Sequence, residues 1–237
     1  MKQKAYLLIA AAGRGKRMGG EINKNYLSLA GKPILAHTLE KFLKLDIFSQ
    51  VIVIIAPGEE EIFRRRVLIP FFCPEEDLVV LEGGAGRQDS VFNGLRYLYS
   101  QKVPSGAPVC IHDGVRPLVS EGLIRRVYQE ALLTGAAVPA VPLKDTVKEI
   151  NGEMKVINTP PRDKLQAVQT PQCFKFSLLW RAFCQAQKDN FLSSDDSSLV
   201  ERTGVKVKVV PGEYENIKIT TPEDLEIADV LLRRGLK

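Results

Sequence analysis

The cations Arg14, Lys16 and Arg17 crowd into the stretch A-A-A-G-R-G-K-R-M, directly after the apolar run Y-L-L-I at residues 6–9. Glycines there leave backbone N–H groups accessible, and the cations favour an anion, so the chemistry this stretch suits is the holding of phosphate. Three readings compete: a dinucleotide, the phosphates of a nucleotide about to be cleaved, or a basic turn facing solvent. A dinucleotide fingerprint, G-x-G-x-x-G, needs glycine at position 18, where the chain has Met18. The P-loop pattern G-x-x-x-x-G-K-[ST] does not occur in the sequence. Lys24 follows in E-I-N-K-N-Y-L. An arginine fork and a lysine point charge both suit a phosphate whose charge is redistributed during displacement, whereas a lone lysine is otherwise simply solvated.

Three further clusters carry polar groups at the ends of apolar runs. In G-G-A-G-R-Q-D-S-V, residues 83–91, the glycines permit close backbone approach to a base or phosphate, and Asp89 and Ser90 stand where they could cap a helix. In V-C-I-H-D-G-V-R-P, residues 109–117, Asp113 lies just beyond a buried strand. It suits a metal ion, a sugar hydroxyl or a structural pair with Arg116. His112 is one of two histidines and has no nucleophile at a recognisable spacing, so it is not assigned as a base. In E-N-I-K-I-T-T-P-E-D-L, Lys218 sits between Ile217 and Ile219 and points to the face opposite them, as a solvated edge residue or a cation aimed into a cleft.

The elements that must position these groups alternate. Strands are expected at Tyr6–Ala10, Val51–Ala56, Leu78–Glu82, Val109–His112 and Ala136–Val141, between helices at Ile34–Leu45, Glu59–Leu68, Gln88–Ser100 and Glu121–Leu133. Strands that are apolar throughout mean a largely parallel sheet covered by helices on both faces. Asp145–Asn158 breaks the pattern, with Asn151-Gly152 flanked by alternating residues as a hairpin turn. A two-stranded ribbon is marginal alone in water, so it must lie on the body or on another subunit. Ser177–Gln187 and Ser197–Thr203 read as helices, Val205–Val210 and the segment about Lys218 as strands, and Pro222–Arg234 as a closing helix with Thr221 as N-cap. With no linker or internal repeat, the expectation is one domain over 1–237.

Bulk properties narrow the function classes. The 33 basic and 28 acidic residues give +5, a mild excess that small anionic substrates explain as well as solubility does; no aromatic-rich basic segment points to nucleic acid. The four cysteines are scattered without a C-x-x-C pair, which argues against zinc and a disulfide framework. No apolar run approaches the ~18 residues that span a bilayer. The basic, then apolar, N-terminus reads better as a buried strand than as a signal peptide, so a cytoplasmic location is expected.

Eight segments in order, among them A-A-G-R-G-K-R-M, N-K-N-Y-L, E-G-G-A-G-R-Q-D-S-V, H-D-G-V-R-P, A-V-P-L-K-D-T-V-K and N-I-K-I-T-T-P-E-D-L, give the chain a nearly end-to-end resemblance to the 2-C-methyl-D-erythritol 4-phosphate cytidylyltransferases. The resemblance implies a Rossmann-like nucleotidyltransferase fold, with CTP and methylerythritol phosphate as substrates and Mg²⁺ as cofactor. It also implies a homodimer built through an arm at residues 143–165. By the same resemblance Ala11, Ala12, Gly13, Arg14, Gly15, Gly84, Ala85 and Ser90 hold the nucleotide, and Arg17, Lys24 and Lys218 are catalytic. Asp113, Arg116, Thr146 and Arg162 hold the acceptor, the last two reaching it from the neighbouring subunit. Asp113 is the one candidate protein ligand for the metal, which is otherwise held by phosphate. The chain departs from many members in having Asn23 and Asn25 beside the lysine, Gly114-Val115 after the aspartate and Pro160-Pro161 before Arg162. Other readings are a ribitol 5-phosphate or related alditol-phosphate cytidylyltransferase, a dinucleotide-binding oxidoreductase and a nucleotide-sensing module.

Overall fold

The computed structural model describes residues 3–13, 23–72 and 78–235. Arg14, Gly15 and Arg17 lie outside the described residues. The apolar run that opens the chain is β1 (Ala5–Ala11), followed by a small antiparallel pair, β2 (Ser28–Leu29) and β3 (Lys32–Pro33), α1 (Ile34–Leu43) and β4 (Phe48–Ile55). The charged helix expected next is not uniform: α2 (Glu60–Phe63) passes through a π-helical turn at Arg64–Leu68 into α3 (Ile69–Phe71). Pro70 removes the N–H that the carbonyl of Arg66 would have accepted, and a widened turn absorbs the loss. β5 (Leu78–Glu82), α4 (Arg87–Ser100), β6 (Pro108–Asp113), α5 (Glu121–Thr134) and β7 (Ala136–Pro142) then alternate as the periodicity requires.

The hairpin follows as β8 (Glu149–Ile150) and β9 (Val156–Asn158), but its turn differs from the expected two-residue Asn-Gly form. It spans residues 151–155. The Asn151 side-chain oxygen accepts from the amides of Glu153 and Lys155, both at 3.0 Å, and the positive φ falls on Met154 rather than Gly152. The side-chain turn at Asn151 thus does the work that two left-handed residues would otherwise do. No residue from Pro142 to Val168 is buried, and Met154, Val156 and Ile157 are the most exposed apolar groups of the ribbon.

Two strands absent from the periodicity reading come next, β10 (Gln166–Val168) and β11 (Gln172–Lys175). They are antiparallel: β10 pairs with the end of β7, while β11 pairs with β6 and with the start of β7. Cys110 and Cys173, distant in sequence, face each other across β6 and β11 as buried free thiols. After α6 (Phe176–Lys188) and α7 (Asp196–Arg202), β12 (Lys208–Pro211) runs parallel to β7; it starts later than Val205. The segment about Lys218 is not a strand. α8 (Pro222–Gly235) begins as expected, with Asp224 accepting from the Thr221 amide at 2.9 Å and Thr221 Oγ1 accepting from the Asp224 amide at 3.4 Å.

β1 lies between β4 and β6 and is parallel to both, with β5 beyond β4. Alternation along these strands divides the core. Leu7, Ile9, Val51 and Val53 face α1 and α5, meeting Leu39, Phe42 and Val127. Leu8, Ile52, Ile54 and Ile111 face α4 and α6, meeting Leu95, Leu179 and Phe183. Full burial of such a side chain contributes roughly 1.5–3 kcal/mol, so the two faces fix the strand register firmly. The register, in turn, sets Ala11, Ile55, Glu82 and Asp113 at one end of the sheet.

Candidate active site

The chain leaves β1 for β4 on one side and returns to β6 on the other, so a crevice opens beyond their carboxyl ends. A cleft of about 810 Å³ occupies that place. Ala12 and Gly13 line it from just beyond β1, Gly84 and Ala85 from the loop after β5, Ser90 from the first turn of α4, and Lys24, Asp113 and Lys218 from the remaining sides. Ala11 is the buried last residue of β1. Thr146 and Arg162 are exposed on the ribbon segment and line neither this cleft nor the one beside it; Arg162 Nη1 donates to the Lys144 carbonyl at 2.6 Å.

The glycine loop is packed rather than loose. The Gly83 amide donates to the Ile55 carbonyl at 2.7 Å, and a Cβ at Gly83 would come within 2.4 Å of the Ala12 Cβ. Ser90 Oγ accepts from the Gly84 amide at 3.1 Å and donates to the Gly86 carbonyl at 2.8 Å, while Asp89 Oδ2 accepts from the Gly86 amide at 3.0 Å. Asp89 therefore caps α4, and Ser90 shapes the cleft wall from within.

Asp113 is the hub on the other wall. Its carboxylate meets Lys218 Nζ at 2.9 Å, Arg87 Nε at 3.2 Å and Arg116 Nε at 3.3 Å. Arg87 also grips Asp196 with both terminal nitrogens, at 3.0 and 2.7 Å. Burial raises the Asp113 carboxyl, but Arg87, Lys218 and Arg116 outweigh it and hold the group well below the usual carboxylate range. For Asp196 burial prevails over Arg87, and its carboxyl is raised. Three cations thus surround the Asp113 and Asp196 carboxylates.

Lys218 reaches Asp113 without a strand to carry it. Ile217 and Ile219 pack against the cluster of Leu29, Ile34 and Val115, so Lys218 turns the opposite way. The Ile219 amide donates to the Val115 carbonyl at 3.0 Å, Arg116 Nη1 to the Asn216 carbonyl at 2.7 Å and Lys24 Nζ to the Ile219 carbonyl at 3.0 Å. Bonds to the β6 loop replace a sheet ladder. Behind Asp113, His112 is fully buried, with Nε2 at 3.2 Å from the Arg116 carbonyl and Nδ1 at 2.9 Å from Thr170 Oγ1. The carbonyl requires a proton on Nε2, which leaves Nδ1 to accept from Thr170. Burial, stronger than the opposing pull of Asp113, lowers the ring to about 3.

A second cleft of about 450 Å³ shares Arg87, Asp113 and Lys218 with the first and adds Arg116, Thr170 and Gln172. Arg87 and Asp196 carry no sequence signal of their own. Arg87 stood inside a glycine-rich stretch read for its backbone, and the bond to Asp196 spans a separation no local pattern reports. Among the described residues there is no group of three or more His, Cys, Asp or Glu side chains that could hold a metal. Asp113 is the one carboxylate among the described residues that line the larger cleft, and three cations already occupy it. These residues do not fit a protein-held Mg²⁺ at Asp113.

A largely parallel α/β sheet with a packed glycine loop and clustered cations beyond its strand ends defines an enzyme class that works on nucleotide phosphates. Comparison with known proteins gives the family. The family model of 2-C-methyl-D-erythritol 4-phosphate cytidylyltransferase (IspD) matches residues 5–234, and the chain belongs to this family of nucleotidyltransferases. It is 42% identical over 230 residues to the enzyme of that name from Alkaliphilus oremlandii, covering 97% of this chain and 95% of that one. To the enzyme of the same name from Pelotomaculum thermopropionicum it is 44% identical over 230 residues, with 97% and 94% covered. Among solved structures it is similar to 4-diphosphocytidyl-2C-methyl-D-erythritol synthase from Anaerococcus prevotii. There the TM-score is 0.83 at 32% identity, with 98% of this chain and 96% of that one covered. No helix among the described residues is long and apolar enough to cross a membrane.

Proposed function

We propose that the chain transfers the cytidylyl group of CTP to 2-C-methyl-D-erythritol 4-phosphate, releasing pyrophosphate and forming CDP-methylerythritol for isoprenoid precursor synthesis. The observation that carries this reading is the meeting of two clefts at one wall of Arg87, Asp113 and Lys218. The larger takes the nucleotide and the smaller the acceptor, so the α-phosphorus comes to lie between them. Ala11, Ala12 and Gly13 follow the nucleotide on the β1 side, Arg14 and Gly15 join them by family resemblance alone, and Gly84, Ala85 and Ser90 face the base. Arg17, Lys24 and Lys218 neutralise the triphosphate, while Asp113 and Arg116 receive the acceptor's hydroxyl end.

An oxygen of the acceptor phosphate forms the new bond to the α-phosphorus. The bond to the β-phosphate oxygen breaks, and pyrophosphate leaves with the electron pair. The nucleophile is already an anion, so no general base is required, consistent with a cleft rich in cations and with His112 buried behind it in neutral form. Catalysis is then positioning plus stabilisation of the charge that develops on the phosphoryl oxygens. Mg²⁺ bound to the triphosphate would add further positive charge beside that of Lys24 and Lys218. The exposed apolar ribbon supports a homodimer in which residues 143–165 of each subunit lie on the other and bring Thr146 and Arg162 to the acceptor's phosphate. The enzyme works in the cytoplasm. The family match does not favour ribitol 5-phosphate as acceptor. Phosphorus NMR of a reaction containing CTP and methylerythritol phosphate tests the proposal: the phosphomonoester signal should give way to a diphosphate and free pyrophosphate, and an unchanged phosphomonoester would refute it.

A further inference from the structure

One carboxylate ties down the turn that carries Lys24. Glu59, at the start of α2, accepts from Asn23 Nδ2 through both oxygens, at 3.2 and 3.0 Å, and from the Tyr26 hydroxyl at 3.0 Å. Lys24 stands between those two residues, in a single 3₁₀ turn at Lys24–Tyr26. A carboxylate offers acceptors alone, so it fixes which way the Asn23 amide faces. The NH₂ turns to Glu59, with a longer contact of 3.5 Å to the Ala11 carbonyl, and the oxygen turns to Asn25. There Asn23 Oδ1 accepts from the Asn25 amide at 3.1 Å and from Asn25 Nδ2 at 2.9 Å. Asn25 Nδ2 donates again, to the Ala11 carbonyl at the end of β1, at 2.7 Å. Glu59 therefore orients a relay of two amides, Asn23 and Asn25, that pins the turn to β1. An amide with its ends reversed would set NH₂ against NH₂ and release the bond to the Asn25 backbone.

We propose that Glu59 is a positioning residue for Lys24: it touches no substrate, and it acts by holding the turn from which the ammonium reaches the triphosphate. This rests on the reading that Lys24 stabilises the transferring phosphate. Misplacing such a cation by about an ångström removes much of its effect on the transition state while leaving substrate binding largely intact.

The test is a double-mutant cycle, with kcat and KM measured on CTP and methylerythritol phosphate for Glu59→Ala, Lys24→Ala and the pair. Glu59→Ala should lose on the order of tenfold in kcat with KM changed far less. In the Lys24→Ala background the same change should cost less than about twofold, because a residue acting through Lys24 has nothing left to position. Equal losses in both backgrounds would mean a general structural role and overturn the proposal. Full activity of Glu59→Ala beside an impaired Lys24→Ala would overturn it alone, whereas near-normal turnover of Lys24→Ala would overturn the underlying reading with it. Should Glu59→Ala not fold, Glu59→Gln serves in the same cycle, since it keeps one acceptor for Asn23 and Tyr26 and sets an NH₂ in place of the other; it should give a smaller kcat loss that again vanishes without Lys24.

Discussion

At the cleft, charge placement matters more than any single reactive group. Lys24 and Lys218 approach from different segments, and Lys24 bonds the carbonyl next to Lys218, so both belong to one wall. Lys24→Ala, Lys218→Ala and Arg17→Ala should each depress kcat at saturating CTP by on the order of a hundredfold, as loss of a transition-state donor does. Near-normal turnover in any one of them would remove that residue from the chemistry. His112 makes a separate prediction about pH. Its folded ring titrates near 3 while an unfolded histidine titrates near 6.5, so between those values the unfolded chain binds one more proton. Stability must therefore fall as the pH drops from about 6.5 toward 3, by about 1.4 kcal/mol per pH unit from this ring alone. Urea unfolding at pH 4, 5 and 6 should show that slope, and His112→Gln should flatten it. A slope unchanged in the variant would contradict the buried neutral ring. The glycine loop is equally exacting, since even one methyl at Gly83 collides with Ala12 and with Ser90 Oγ.

Secondary elements were legible from sequence where they carry their own pattern. The runs that became β1, β4, β5, β6 and β7 are apolar because helices cover both faces, and their order already implied a crevice at their ends. β10 and β11 carry no such pattern: each is short, and each is a strand because the edges of β6 and β7 offer it partners. The segment around Lys218 erred the other way, its alternation arising from packing of Ile217 and Ile219 rather than from a ladder. The site divides along the same line. The cations and Asp113 were visible beside glycines and strand ends, but Arg87–Asp196 and Glu59–Asn23 join distant segments and needed the fold. The cap on α8 was legible, and it is testable. Asp224 accepts from the amides of Thr220 and Thr221, at 2.8 and 2.9 Å, and so holds the end of the Lys218 segment. Asp224→Ala should cost about 1 kcal/mol of unfolding free energy, read from urea titration. A loss within error would mean the bonds are replaced by water.

The whole molecule presents one feature that a lone chain does not explain. The ribbon at β8 and β9 exposes Ile150, Met154, Val156 and Ile157, and a two-stranded ribbon has little stability of its own in water. Pairing with a second copy would cover those side chains and complete the acceptor site with Thr146 and Arg162. Ile157→Glu should then give a monomer in sedimentation equilibrium and lose most of its activity, while a dimer of full activity would remove the arm from both roles. In the proposed reaction CTP and methylerythritol phosphate meet at Asp113 and Lys218. Pyrophosphate release from CTP, measured with methylerythritol phosphate and with ribitol 5-phosphate in separate reactions, tests it most directly. Release with methylerythritol phosphate, and little or none with ribitol 5-phosphate, is the predicted result; release with neither, or with ribitol 5-phosphate alone, would contradict it.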